Sequence, residues 1–288
     1  MPWLELRIDS SREDAPALEE ALLTAGALSV TLQDNADQPI FEPALGETPL
    51  WQATRVTGLF EADVDTAKIE RRLRLRHPHW HVVEDKDWER EWMQHYQPIQ
   101  CGERLWICPS WLAPPDPNAV NLLLDPGLAF GTGTHPTTFL CLAWLAEQQL
   151  QGLSVMDYGC GSGILGIASL LLGAQQAVGV DIDPQALLAT RDNAARNGLA
   201  PERFPVFFPK QAPVEPVDLL LANILAGPLV ELAPALLDLL KPGGRICLSG
   251  VLASQAEAVQ QAYRNAIDFA PTRQKEEWVC LTGVRRIQ

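Results

Sequence analysis

Seven residues, Asp157-Tyr158-Gly159-Cys160-Gly161-Ser162-Gly163, close the apolar run Leu153 to Met156 and open another from Ile164 to Leu172. Three alternating glycines between a short strand and a helix permit backbone angles that side chains disfavour. They also let main-chain atoms approach a nucleotide-like ligand closely. The first N–H groups of the helix then face whatever sits in the turn. Two more groups belong to the same edge. Asp181 ends the next apolar segment, Ala177 to Val180, where a carboxylate can accept both hydroxyls of a ribose. Asp183 stands two residues on, ahead of Pro184, and suits a helix cap; either acid could be the ribose ligand, and the strand tip favours Asp181. Asn223 follows Val217 to Ala222, and its side-chain oxygen can accept from an amine while its NH₂ donates.

These groups admit two cofactor chemistries. Gly161-Ser162-Gly163-Ile164-Leu165-Gly166 satisfies G-x-G-x-x-G, with Asp181 twenty residues beyond Gly161, which reads as a dinucleotide fingerprint and an NAD-dependent oxidoreductase. Asp157 argues otherwise. A carboxylate ahead of the glycines would repel a pyrophosphate and suits a ligand with a cationic amino-acid end and no phosphates, such as S-adenosylmethionine (SAM). The spacing Asp-x-Gly-x-Gly-x-Gly resembles the first motif of the class I SAM-dependent methyltransferases. A third reading is a non-catalytic binding protein on the same fold.

Composition narrows the partners. A formal net charge of −14 disfavours direct contact with nucleic acid and fits a basic protein, although it serves solubility equally well. The N-terminus has no basic segment followed by an apolar core, and the apolar stretch Gly163 to Gly173 is too short to span a bilayer. A cytoplasmic chain without a membrane partner is expected. The six cysteines show no C-x-x-C pair and read as reduced thiols, with Cys160 filling the glycine turn rather than acting as a nucleophile. His77, His79 and His81 alternate but have no Cys or acid cluster beside them, so no metal is expected.

The elements that must position these groups fall into three parts. Residues 1–86 read as strand, helix, strand, strand, helix, strand, a ferredoxin-like substrate-recognition domain. Residues 87–100 read as a linker helix carrying Trp88 and Trp92 one turn apart. Residues 101–288 begin with Leu105–Cys108 and Val120–Leu124, a strand pair around a Pro-rich turn, and continue with the Gly- and Thr-rich loop Asp125 to Thr138. A helix from Phe139 to Gln149, capped near Thr138, leads into alternating strands and helices, among them one helix over Pro228–Leu240. Two final strands with no helix between them suggest a hairpin. That predicts the Rossmann-like α/β fold with the seven-stranded sheet of class I methyltransferases, rather than the six-stranded dinucleotide sheet.

Together, Asp125 to Thr138, the 157–163 loop, Asp181, the run Ala222-Asn223-Ile224-Leu225-Ala226-Gly227-Pro228-Leu229 and the tail Lys275-Glu276-Glu277-Trp278 resemble the methyltransferase family of large-subunit ribosomal protein eleven. The similarity covers essentially the whole chain, and Phe130-Gly131-Thr132-Gly133-Thr134-His135-Pro136-Thr137-Thr138 is its narrowest part. Enzymes that methylate adenine or glutamine amides carry Asn-Pro-Pro-Tyr where this chain has Asn-Ile-Leu-Ala, which argues against a flipped base as substrate. The resemblance implies SAM as cofactor and transfer to lysine side-chain amines and the N-terminal α-amine of the basic ribosomal protein. It implies recognition by the N-terminal domain of a monomer. Cofactor contacts would fall at Thr138, Gly159, Gly161, Asp181 and Asn223, with Phe130 in a covering loop. Asn223 is the expected orienting acceptor for the amine, and no dedicated base is named.

Overall fold

The computed structural model describes residues 2–38, 40, 48–75, 78–84, 96–125, 131 and 133–287. Phe130, His77, Trp88 and Trp92 lie outside the described residues, as does the expected linker helix up to residue 95. The chain divides into two compact units, Met1–His95 and Tyr96–Gln288.

The first unit runs β1 (Trp3–Ser11), α1 (Ala15–Thr24), β2 (Ser29–Asp34), β3 (Ala53–Glu61), α2 (Thr66–Leu73) and β4 (His79–Val83). Its sheet has the order β2-β3-β1-β4, antiparallel throughout, the arrangement expected of a split βαβ. Leu6, Leu22, Val56, Phe60 and Ile69 form its core. The Asp65 carboxylate caps α2 by accepting from the Lys68 N–H at 3.0 Å. Trp80 turns inward against Phe60, with ring centroids 5.4 Å apart, and donates its indole N–H to Glu70. The strand period then leaves His79 and His81 exposed.

The second unit opens with β5 (Ile99–Gln100), β6 (Leu105–Cys108) and β7 (Val120–Leu123). β6 and β7 pair in parallel, not as a hairpin. Residues 109–119 are too long and too rich in proline for a tight turn and instead cross over. Asn121 pins that crossover by donating to the carbonyls of Asp116 and Ala119.

The main sheet contains β8 (Ser154–Tyr158), β9 (Gln176–Val180), β10 (Val206–Phe207), β11 (Val217–Asn223), β12 (Leu240–Leu252), β13 (Ile267–Phe269), β14 (Arg273–Lys275) and β15 (Trp278–Arg285). Its order is β10-β9-β8-β11-β12-β15-β13, with the short β14 added on β15. The first five strands are parallel; β15 runs antiparallel between β12 and β13. This is the seven-stranded order expected from the final strand pair, with β14 as an extra strand. Leu219, Leu220, Leu221 and Ala222 are all buried, as a strand covered on both faces requires.

Helices α3 (Pro136–Glu147), α4 (Ile164–Leu171), α5 (Pro184–Arg196), α6 (Ala226–Glu231), α7 (Ala233–Asp238) and α8 (Ala256–Tyr263) cover the sheet. Two differ from the sequence reading. α3 begins three residues before Phe139 because His135, not Thr138, caps it, and Pro136 supplies a preset φ at its first position. The single helix expected over Pro228–Leu240 is two, broken at Leu232. Pro234 has no N–H to continue the ladder, so the second helix restarts with proline in its first turn.

Candidate cofactor and amine site

The site lies where the parallel strands end. Tyr158 is in register with Val180 on one side and Ala222 on the other. The tips that follow, carrying Gly159, Asp181 and Asn223, therefore share one edge of the sheet, at the point where strand order reverses.

The glycine loop takes the conformation its composition implies, with φ of +77° at Gly159, +54° at Gly161 and +78° at Gly163. The space a Cβ would occupy is partly filled by the chain itself. At Gly159 it would meet Ile224 Cγ2 at 2.2 Å, and at Gly163 it would meet Thr190 Cγ2 at 2.7 Å. The glycines thus let the loop pack on its own neighbours as well as expose main chain. Ile224 is the residue after Asn223, so the loop and the asparagine tip are pressed together.

Asp181 joins the loop directly. One carboxylate oxygen accepts from the Gly161 N–H at 2.9 Å and the other from the Asp183 N–H at 3.0 Å. Each oxygen has a second lone pair, which leaves capacity for two hydroxyls. Asp183 takes the capping role: its side chain accepts from the Gln185 N–H at 2.8 Å at the start of α5.

Asp157 behaves differently from a simple cation-facing acid. It is buried, and Oδ2 accepts from the Gly166 N–H at 2.9 Å. Burial pushes its carboxyl up to about 8, against the partial relief of the Gly166 bond. Its Oδ1 is buried with no hydrogen-bond partner among the described residues. Burial also raises the Cys160 thiol, and Thr190 Oγ1 lies 3.4 Å from its sulfur; this is a packed turn filler, not a thiolate.

Asn223 and Thr138 come together from positions far apart in sequence. Asn223 Nδ2 donates to Thr138 Oγ1 at 3.3 Å, while Asn223 Oδ1 is buried without a partner among the described residues. Thr138 can make this contact because capping falls to His135. Burial lowers the His135 pKa, which favours the neutral ring, and its Nδ1 accepts from the Thr137 N–H. Ser249 Oγ on β12 is 3.2 Å from the Thr137 carbonyl and fixes the first turn of α3 to the sheet.

Three positioning residues were not anticipated from sequence. Thr190 Oγ1 lies 3.0 Å from the Gly161 carbonyl, Asn193 Nδ2 donates to the Ser162 carbonyl at 2.9 Å, and Ser162 Oγ donates to the Gly131 carbonyl at 2.7 Å. The signal in α5 was a buried stripe, Ala186, Leu187, Thr190, Asn193 and Ala194, in which two polar residues interrupt an apolar face.

The edge suits the expected cofactor on chemical grounds. One buried acceptor, Asn223 Oδ1, lacks a donor, the Asp181 carboxylate with spare lone pairs closes the loop, and glycine main chain lies between them. An adenosyl ligand with an ammonium group and ribose hydroxyls supplies donors of this kind.

A family model described as ribosomal protein L11 methyltransferase (PrmA) matches residues 2–286. A ribosomal protein L11 methyltransferase of Saccharophagus degradans is 67% identical over 99% of this chain and 100% of its own length. That of Teredinibacter turnerae is 65% identical over 99% and 98%. The crystal structure of a ribosomal protein L11 methylase from Lactobacillus delbrueckii subsp. bulgaricus superimposes with a TM-score of 0.59 at 33% identity, covering 67% of this chain and all of the other. None of these similarities supports the dinucleotide reading of Gly161 to Gly166.

Proposed function

The chain belongs to the ribosomal protein L11 methyltransferase family, and from that membership we propose that it methylates ribosomal protein L11, using SAM, on lysine side-chain amines and the N-terminal α-amine. The observation that carries the amine assignment is the orphaned Oδ1 of Asn223, held in place by the bond from its Nδ2 to Thr138. An amide oxygen without a donor, at the strand tip beside the glycine loop, is suited to accept a hydrogen from the incoming amine and aim its lone pair.

When bound, SAM supplies a methyl group already activated on a positive sulfonium. The work left to the chain is positioning. Gly159 and Gly161 offer main chain to the cofactor, and Asp181 offers its remaining lone pairs to the ribose. Thr138 holds Asn223 beside the cofactor, and the Asn223 amide oxygen accepts from the incoming amine. The amine must lose its proton, since a free lysine ammonium titrates near ~10.4 and an α-amine near ~7.7–8. Burial at the site lowers both values, so no dedicated base is needed.

In this reading the first unit recognises the ribosomal protein, and the second unit methylates several of its amines. The acidic chain acts in the cytoplasm as a monomer, on a basic protein and without direct contact with nucleic acid. Among the described residues no helix is long and apolar enough to cross a membrane.

The test is to incubate the protein with purified ribosomal protein L11 and labelled SAM and to map the label by mass spectrometry. Methylated lysines and a methylated N-terminus are expected. Label confined to nucleic acid or to side chains other than amines would overturn the amine assignment, and NADH binding without SAM binding would overturn the cofactor.

A further inference from the structure

Cys141, Cys247 and Cys280 carry no ligand spacing in the sequence, yet they converge in the core of the second unit. Cys141 lies on α3, one turn beyond Thr138; Cys247 and Cys280 lie on the neighbouring antiparallel strands β12 and β15. The Cys247 sulfur is 3.7 Å from that of Cys141 and 3.4 Å from that of Cys280. All three sulfurs fall within 4.8 Å of one another, and all three residues are fully buried.

All three are free cysteines, and a disulfide could join only two of them and would leave the third sulfur unaccounted for. Cys247 is in register with Thr282, which makes Cys280 its diagonal neighbour. Diagonal partners in an antiparallel pair are roughly 7–8 Å apart, at or beyond the reach of a disulfide without backbone movement. A shared ion fits better. Three sulfurs each about 2.3 Å from a central metal would stand about 4 Å apart, close to the spacing seen. No His, Asp or Glu joins the group among the described residues, so neither tetrahedral zinc nor an iron–sulfur cluster has its fourth ligand. Three soft donors in a dry pocket suit a soft ion that tolerates low coordination.

We propose that Cys141, Cys247 and Cys280 form a trigonal site for one Cu(I) ion. Binding forms three sulfur–copper bonds, thiol protons leave to solvent, and the ion keeps its oxidation state. The bound ion ties α3 to β12 and β15, alongside the hydrogen bond that Ser249, two residues after Cys247, already makes to the Thr137 carbonyl. Occupancy therefore stiffens the helix that presents Thr138.

Because the sulfurs are buried, the decisive experiment refolds the full chain from denaturant, without oxygen, in the presence of acetonitrile-stabilised Cu(I). One copper per chain is expected, with thiolate-to-copper absorption in the ultraviolet and three sulfur scatterers by X-ray absorption at the copper edge. A control carrying Cys101→Ala, Cys108→Ala and Cys160→Ala should retain the ion. Cys141→Ala, Cys247→Ala and Cys280→Ala, made separately, should each lower affinity at least tenfold in competition with a chelator. The X-ray measurement on the unaltered chain needs no variant to fold. A natively refolded chain without copper, a copper ion with other than sulfur neighbours, or uptake lost in the control and kept in the three single variants would overturn the proposal.

Discussion

Asn223 and Thr138, at the end of a strand and in the first turn of a helix, are joined by a 3.3 Å hydrogen bond in which the amide donates and the hydroxyl accepts. The bond decides which end of the amide is left over. Its oxygen, not its nitrogen, is the orphan, so the strand tip presents an acceptor, as an approaching amine requires.

Asn223→Ala should therefore slow methyl transfer to L11 by roughly 10- to 100-fold, about 1.5–3 kcal/mol, the range for a hydrogen bond to a charged group. Thr138→Val should act in the same direction through the lost anchor. The double variant should be little worse than Asn223→Ala, because both changes break one unit. Full additivity in rates measured with labelled SAM would separate the two residues.

Asp181→Ala should weaken SAM binding on the order of 100-fold, since it removes the acceptor of the Gly161 N–H together with the ribose contact. Asp183→Ala should cost about 1 kcal/mol of stability as a lost helix cap and leave SAM affinity nearly unchanged. Calorimetry and thermal unfolding on the two variants distinguish these roles; comparable loss of affinity in both would return Asp183 to the ligand set.

Asp157 makes a pH prediction whose sign is opposite to that of a salt-bridged acid. Its carboxyl is raised from an ordinary 3.8 to about 8, so between those values the folded chain keeps a proton that the unfolded chain has released. Its contribution to stability is complete below the lower value, declines as pH rises, and is gone above about 8. Asp157→Asn, which mimics the protonated form, should unfold at a higher temperature than the unaltered chain near pH 8–9, with the gap closing toward pH 4. A gap independent of pH would show that the carboxyl is ionised throughout.

Asn193→Ala tests the support of the loop. It strands the buried Ser162 carbonyl, at a cost of about 1–3 kcal/mol, and should weaken SAM binding although Asn193 is assigned no cofactor contact. Stability and binding should be lost together. A variant destabilised to this extent with undiminished affinity would show that the loop holds its shape without α5.

The sequence carried the architecture because its signals are local. Strand–glycine–helix punctuation at 153–172, Asp183 as a cap, and uninterrupted apolar strands such as Leu219 to Leu221 are each set within a few residues. The missing helix between the final strands even conveyed the antiparallel β15. What stayed hidden depends on contacts across the fold. Nothing near Thr138 indicates that His135 takes the cap and frees its hydroxyl for a residue eighty-five positions away. Thr190 and Asn193 look like helix surface until α5 is packed on the loop, and the parallel pairing of β6 with β7 follows only from how residues 109–119 cross. Pro234 was visible, and its restart of the helix is a local effect that the length of the apolar pattern concealed.

The anchors assigned to the cofactor bear on turnover. As proposed, Asp181, Gly159 and Gly161 would engage its ribose and main-chain-facing parts, none of which changes when the methyl group departs. The spent by-product should consequently be gripped by these anchors about as firmly as the donor, so exchange of one for the other, rather than alkylation, sets the pace once several amines on a single substrate await modification.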